Sequence, residues 1–271
     1  MKEFLIGILI GIANAIPGVS GGTIAVSFNV FDRLIAFISR FRTRLKEDLK
    51  FILCLGAGVI VGVLVSAKLV VFLIENYPVD VGFFFLGVIL GSVPMIYEKA
   101  VKPKFKPQSL IPFFICLGFM IFMWLVKPPE AISTELTGSP LVNFFMMMLY
   151  GAIGAACMII PGISGSFVLT LIGGYGKVMG SVANHNFLML AALAIGCIIG
   201  IIGCAKIINR IIYKYGNYTY SGILGFVLGS LFVVYPGYSF GENGIIPIIA
   251  LAAGFAITFM FNIKDKKSES K

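Results

Sequence analysis

Long apolar runs alternate with short polar connectors along the whole chain. Residues 188–205 and 245–263 carry no charged side chain, and 51–74 carries one, Lys68. Each run matches the roughly 20 residues that cross a hydrocarbon core as a helix. The pattern predicts two halves, each one broken element followed by three spanning helices. In the first half the broken element covers about 4–31 and the spans lie near 51–75, 82–97 and 109–126. In the second it covers about 141–178, with spans near 187–208, 220–235 and 245–262. The break in each is a P-G-x-S-G stretch, Pro17 to Gly21 and Pro161 to Gly165. Proline removes a helix donor and glycine loosens the backbone, so a continuous helix is not expected there. Irregular backbone at membrane depth survives only when buried in protein or lining a wet cavity. The expected shape is a re-entrant hairpin that enters and leaves on one side.

The two halves are copies. A-I-P-G-V-S-G-G-T in 7–33 matches I-I-P-G-I-S-G-S-F in 151–177 at an offset of 144, with Arg33 and Lys177 at equivalent ends. Further along the offset becomes 138, because the first half carries six extra residues near 40–46. There Gly58, Gly62, Lys68, Tyr77, Gly87, Gly91 and Tyr97 align with Gly196, Gly200, Lys206, Tyr215, Gly225, Gly229 and Tyr235. Apolar similarity alone does not put lysines, tyrosines and two G-x-x-x-G pairs per half in register. The glycine pairs suit close helix packing in lipid.

Composition supports this reading: 59% of residues are hydrophobic and 12% charged, too apolar for a chain of this size surrounded by water. Charge then orients the chain. Lys127 and Lys177 fall on one side and Lys68 and Lys206 within spans, leaving 17 of the 21 Lys and Arg residues on the other side. That basic side is expected to be cytoplasmic and to hold both termini. Three crossings per half invert the second copy. The expected organisation is an all-α polytopic membrane protein with a first repeat at 1–126, an external connector at 127–140, a second, inverted repeat at 141–263 and a basic cytoplasmic tail at 264–271. The formal charge of +9 is a topology signal here, since no nucleic-acid-binding motif accompanies it. An apolar run after Lys2 with Ala13-Asn14-Ala15 imitates a signal peptide, but the same element recurs internally and is assigned to the fold. Cys54, Cys116, Cys157, Cys197 and Cys204 lie in apolar stretches without a C-x-x-C pair, and His185 is the one histidine, so no metal, cofactor or disulfide is expected.

The breaks carry the candidate chemistry. A helix starting at Ser20-Gly21 or Ser164-Gly165 points N–H groups and a positive dipole end into the break. Gly18, Gly21, Gly22, Gly162 and Gly165 let an anion approach the backbone, and Ser20, Thr23, Ser164 and Ser166 add hydroxyls. A phosphate or carboxylate fits this chemistry; a plain kink in a packed helix is the alternative. Paired inverted repeats with broken helices in matching positions point to a transporter site. Lys68 sits nine residues before Tyr77, about 13 Å along a helix, and Lys206 is its counterpart. Both are candidate charges on a route through the membrane or lysines reaching headgroups. Arg33 and Lys177 are candidate anion ligands or interfacial anchors. Asp32 either pairs with Arg33 or serves as a coupling group. No nucleophile–base pair accompanies the serines, which argues against an enzyme such as a lipid phosphatase.

At N-A-I-P-G-V-S-G-G-T-I-A (14–25) and M-I-I-P-G-I-S-G-S-F (158–167) the sequence resembles the bacterial polyprenyl-phosphate transporters of the PopT type, over nearly the whole chain. The second copy departs from the first, with Ser166 and Phe167 where the first has Gly22 and Thr23. The resemblance implies a bacterial cytoplasmic-membrane protein that returns undecaprenyl phosphate, the carrier lipid of cell-wall synthesis, from the outer to the inner leaflet. The residues themselves leave a second reading open, a transporter or channel for a small soluble anion.

Overall fold

The computed structural model describes residues 1–15, 20–66, 71–102, 104, 106–126, 134, 136, 138–238 and 244–269, and its long elements are all helices. The first half supplies α1 (Lys2–Ala15), α2 (Gly21–Ser27), α3 (Phe31–Ser39), α4 (Phe41–Val65), α5 (Val71–Asn76), α6 (Pro78–Val101) and α7 (Leu110–Leu125). The second supplies α8 (Pro140–Ile159), α9 (Gly165–Leu171), α10 (Tyr175–Ala183), α11 (Phe187–Val234) and α12 (Ile246–Glu269). Among the described residues six helices are long and apolar enough to cross a membrane, or up to eight if the bent pairs α2–α3 and α9–α10 each count as one span. Only 17% of the apolar window of α7 and of α12 is buried in the protein, so side chains such as Phe114, Ile115 and Ile249 must face lipid. The chain is an all-α polytopic membrane protein.

The expected spans map onto these helices with shifted ends. The 48 residues of α11 are about 72 Å of helix, roughly two bilayer crossings, and the helix breaks at Tyr215 (φ −134°, ψ 46°). Its two arms hold the spans expected near 187–208 and 220–235. Tyr77, one repeat earlier, breaks the chain in the same way (φ −136°, ψ 48°) before α6. The first-half span expected at 51–75 instead starts ten residues sooner as α4, because the extra residues of the first half lengthen its start, and α4 ends at Val65. Its continuation is α5, and Lys68 between the two lies outside the described residues.

Both broken elements turn the chain back on itself. Returning along α8, Gly165 sits against the Gly154 carbonyl and Gly174 against the Tyr150 ring. In the first half, Lys2 at the start of α1 and Phe28 just after α2 both meet the ring of Phe261, at 4.8 Å and 5.1 Å. The short helices end in the same cap. Asn29 (φ 56°) and Gly173 (φ 70°) take the left-handed conformation that these two residue types tolerate. The Val30 N–H then donates to the Ala25 carbonyl at 3.0 Å, and the Gly174 N–H to that of Leu169 at 2.8 Å. The chain next bends by 117° into α3 and by 105° into α10.

Packing recurs with the same offsets. Helix α1 lies on α4 as α8 lies on the first arm of α11, and α12 lies on α6 as α7 lies on the second arm. A Cβ on Gly58 would stand 2.1 Å from the Phe4 carbonyl oxygen, and one on Gly196 would stand 1.9 Å from that of Met148. A Cβ on Gly87 would stand 2.0 Å from the Leu251 carbonyl oxygen, and one on Gly225 would stand 2.3 Å from that of Phe113. Without a hydrophobic force between helices in lipid, such backbone approach is what holds them together. The main core, including Ile6, Ile24, Phe28, Phe85, Ile89 and Val227, closes around α2.

Candidate functional site

The two breaks meet. The buried Thr23 on α2 accepts a hydrogen bond at Oγ1 from the Gly162 N–H of the second break, 2.7 Å away. A Cβ on Gly22 would stand 2.9 Å from the Ile159 carbonyl oxygen, so only glycine lets α2 approach the end of α8 this closely. Gly162 itself has φ +85° and presses on the Phe226 carbonyl. A cavity of about 120 Å³ opens beside the junction, bordered by Ile10, Asn14, Gly21, Gly22, Met158 and Ile159. Gly18 lies outside the described residues.

Local sequence explains the shape of each break. Ser20 (φ −102°, ψ 132°) and Ser164 (φ −91°, ψ 118°) are extended residues just before the first turn, and neither hydroxyl caps its helix. Asn14 takes that role in the first half: its side-chain oxygen accepts from the Gly21 N–H at 3.2 Å. The Gly21 N–H is therefore occupied, where the sequence suggested a donor open to an anion. Ser20 is 5% exposed, and its buried hydroxyl has no hydrogen-bond partner among the described residues. In the second break the Ser164 and Ser166 hydroxyls bond each other at 2.9 Å, with Ser166 exposed. The site thus offers hydroxyl groups from both halves, on backbone joined by one inter-half hydrogen bond.

The family described as VCA0040-like, undecaprenyl phosphate translocase-like, matches residues 10–245 and so spans both breaks and their junction. The chain belongs to this family. Two relatives carry the name polyprenyl-phosphate transporter. The one from Vibrio cholerae serotype O1 is 29% identical over 250 residues, 87% of this chain and 78% of the relative. The one from Staphylococcus aureus is 31% identical over 246 residues, 87% of this chain and 86% of the relative. No solved structure matches the chain.

Among the described residues, the charged candidates are not gathered at the paired break. Arg33 is bound to the buried Asp48, Nε to Oδ1 at 2.7 Å, with Arg44 on the other carboxylate oxygen at 3.3 Å and the Phe51 ring 4.3 Å from the guanidinium. Lys177 stands 5.9 Å over the Tyr150 ring. Lys206 is exposed on α11, with no ion pair among the described residues. Asp32 does not pair with Arg33: Lys99 Nζ donates to its Oδ2 at 2.8 Å, and the Tyr220 hydroxyl donates to the same oxygen, while the side chain stays partly exposed. Asn14, Asp48, Lys99 and Tyr220 were not singled out from the sequence. Asn14 had a local signal, a lone amide in an apolar helix just before the break. Lys99 and Tyr220 had none, being 67 and 188 residues from Asp32.

Proposed function

We propose that this protein moves a polyprenyl monophosphate, undecaprenyl phosphate, from the outer to the inner leaflet of the bacterial cytoplasmic membrane and so recycles the carrier lipid of cell-envelope synthesis. The observation that carries the reading is the Thr23–Gly162 junction, where two copies of one broken element join within a chain of the undecaprenyl phosphate translocase-like family. The repeats 1–126 and 141–263 are inverted, with both termini cytoplasmic, so each hairpin reaches the junction from its own side. The head passes between the breaks while the tail stays in lipid.

Ser20 and the Ser164–Ser166 pair are the first donors for the phosphate, supported by the unpartnered burial of the Ser20 hydroxyl. Gly18, Gly21, Gly22, Gly162 and Gly165 give it room, and Thr23 holds the two breaks in register. Lys68, Lys206, Arg33 and Lys177 supply positive charge along the route, and the chemistry is binding and release without a covalent step. The test is transfer of a labelled polyprenyl phosphate between leaflets of liposomes holding the purified protein, with and without excess soluble phosphate. Transfer that soluble phosphate barely slows supports the lipid as substrate. No transfer above empty liposomes, with phosphate itself crossing, would assign the junction to a small soluble anion.

A further inference from the structure

A second polar site lies away from the junction, at the end of the bundle where α1 begins. Lys99 of α6 donates to Asn29 Oδ1 at 2.7 Å and to Asp32 Oδ2 at 2.8 Å, and lies 3.5 Å from the Tyr220 hydroxyl. Four elements are tied there: the cap of α2, the start of α3, the end of α6 and the second arm of α11. Beside them is a cavity of about 450 Å³, bordered by Asn29, Met95, Lys99, Phe259, Asn262 and Ile263. That volume is in the range of small-molecule sites. The mouth also carries Glu98 and Lys102, which pair with each other. Asn262 on α12 has both its amide nitrogen and its oxygen buried without a partner among the described residues. Asn262 borders the same cavity as Lys99, in a lining that includes the apolar Met95, Phe259 and Ile263.

We infer that this cavity binds a phosphate monoester, with the phosphate on Lys99 Nζ and the Asn262 amide and the apolar substituent along Met95, Phe259 and Ile263. This rests on the transport reading and gives it a second headgroup station, at the end of the bundle that reading makes cytoplasmic. Lys99 has three donors, and Asn29, Asp32 and the Tyr220 hydroxyl take all three, so the phosphate binds by exchange with Asp32. The exchange frees the start of α3 from α6, while Asn29 at the cap of α2 keeps its bond to Lys99. Headgroup binding is thereby coupled to loosening of α3 from α6. The ligand is either the lipid headgroup or free phosphate, and the two are separable by experiment.

The full chain in nanodiscs is titrated with a short-chain prenyl monophosphate, the matching prenyl alcohol and inorganic phosphate. K99Q is expected to weaken prenyl phosphate binding roughly ten-fold or more, and N262L about five-fold, the sizes of a charged and a neutral hydrogen bond. D32N is expected to tighten it about three-fold, since it removes the competing carboxylate. K99R keeps the charge and serves as the control for folding. A mere structural latch has the opposite signature: K99Q and D32N break the same ion pair and would shift affinity in the same direction, which overturns the inference. Unchanged binding in K99Q also overturns it. A ten-fold preference for the prenyl ester over inorganic phosphate assigns the site to the lipid headgroup; equal affinity assigns it to free phosphate and overturns the role of the apolar wall. Leaflet transfer is measured on the same unaltered protein. Transfer with Lys99-independent binding removes the cavity proposal alone, whereas Lys99-dependent binding without transfer removes the transport reading alone.

Discussion

The two broken elements share a backbone and differ in nearly everything attached to it. All seven residues of α2 are buried, whereas in α9 only Gly165 is. Asn14 caps α2, and its counterpart at the 144 offset is Met158, which has no amide to offer. Thr23 reaches across to the other half, and its counterpart Phe167 has no hydrogen-bonding group. The contrast extends to the ends of the bundle. Asn29, Asp32, Lys99 and Tyr220 correspond to Gly173, Gly176, Gly237 and Gly82, and Asn262 corresponds to Trp124, whose ring lies 6.0 Å from that of Phe232. One end holds a polar cluster and a cavity, the other glycines and an aromatic contact. Duplication fixed where the chain breaks and which helices touch. The side chains then made one hairpin an anchored core element and left the other partly open.

The largest test of this contrast is valine at the two equivalent glycines. At Gly165 a Cβ would stand 2.4 Å from the Gly154 carbonyl oxygen, which is backbone and cannot yield; at Gly21 it would meet only the Asn14 amide, at 2.7 Å. Gly165→Val is expected to cost about 3 kcal/mol or more and Gly21→Val about 1 kcal/mol, read from unfolding in detergent, with transfer lost in both. Equal costs would mean that the breaks are equivalent after all. Next is Asp48 against Asn186, its counterpart at the 138 offset, which caps the first arm of α11 by accepting from the Met189 N–H at 3.3 Å. Asp48→Ala should cost about 2 kcal/mol, less than a fully buried pair because Arg33 and Arg44 are partly exposed. Asn186→Ala should cost about 1 kcal/mol, the value of a helix cap.

A third variant addresses the contact between the halves. Thr23→Val leaves the buried Gly162 N–H unpaired and is expected to cost about 1–2 kcal/mol, with Thr23→Ser restoring most of it. If valine and serine melt together, the hydrogen bond does not join the halves. The smallest structural effect is expected at Lys206. With no ion pair among the described residues to lose, Lys206→Gln should leave stability within about 0.5 kcal/mol while slowing lipid transfer. Unchanged transfer would make Lys206 an interfacial anchor and take it off the route.

The sequence by itself carried the membrane class, the duplication and the position of each break. These depend on local and repeated properties: apolar run length, the missing donor of proline, and glycine at fixed spacing. Tyr77 and Tyr215 align at the 138 offset, but nothing in the sequence marked them as helix kinks. The sequence did not carry the partner of each polar group. Asp32 looked as if its choices were Arg33 or a proton, yet its partners come from α6 and α11, brought beside it only by helix packing. Gly21 looked like an open donor until Asn14 was seen to occupy it. Arg33 looked like an anion ligand, an interfacial anchor or a partner of Asp32 until the lengthened start of α4 delivered Asp48. For Asp32 and Arg33 the deciding interaction spans a few ångströms in space and 15 or more residues in sequence. A short-range force between distant segments leaves no local mark on the chain, so only the tertiary structure could decide it.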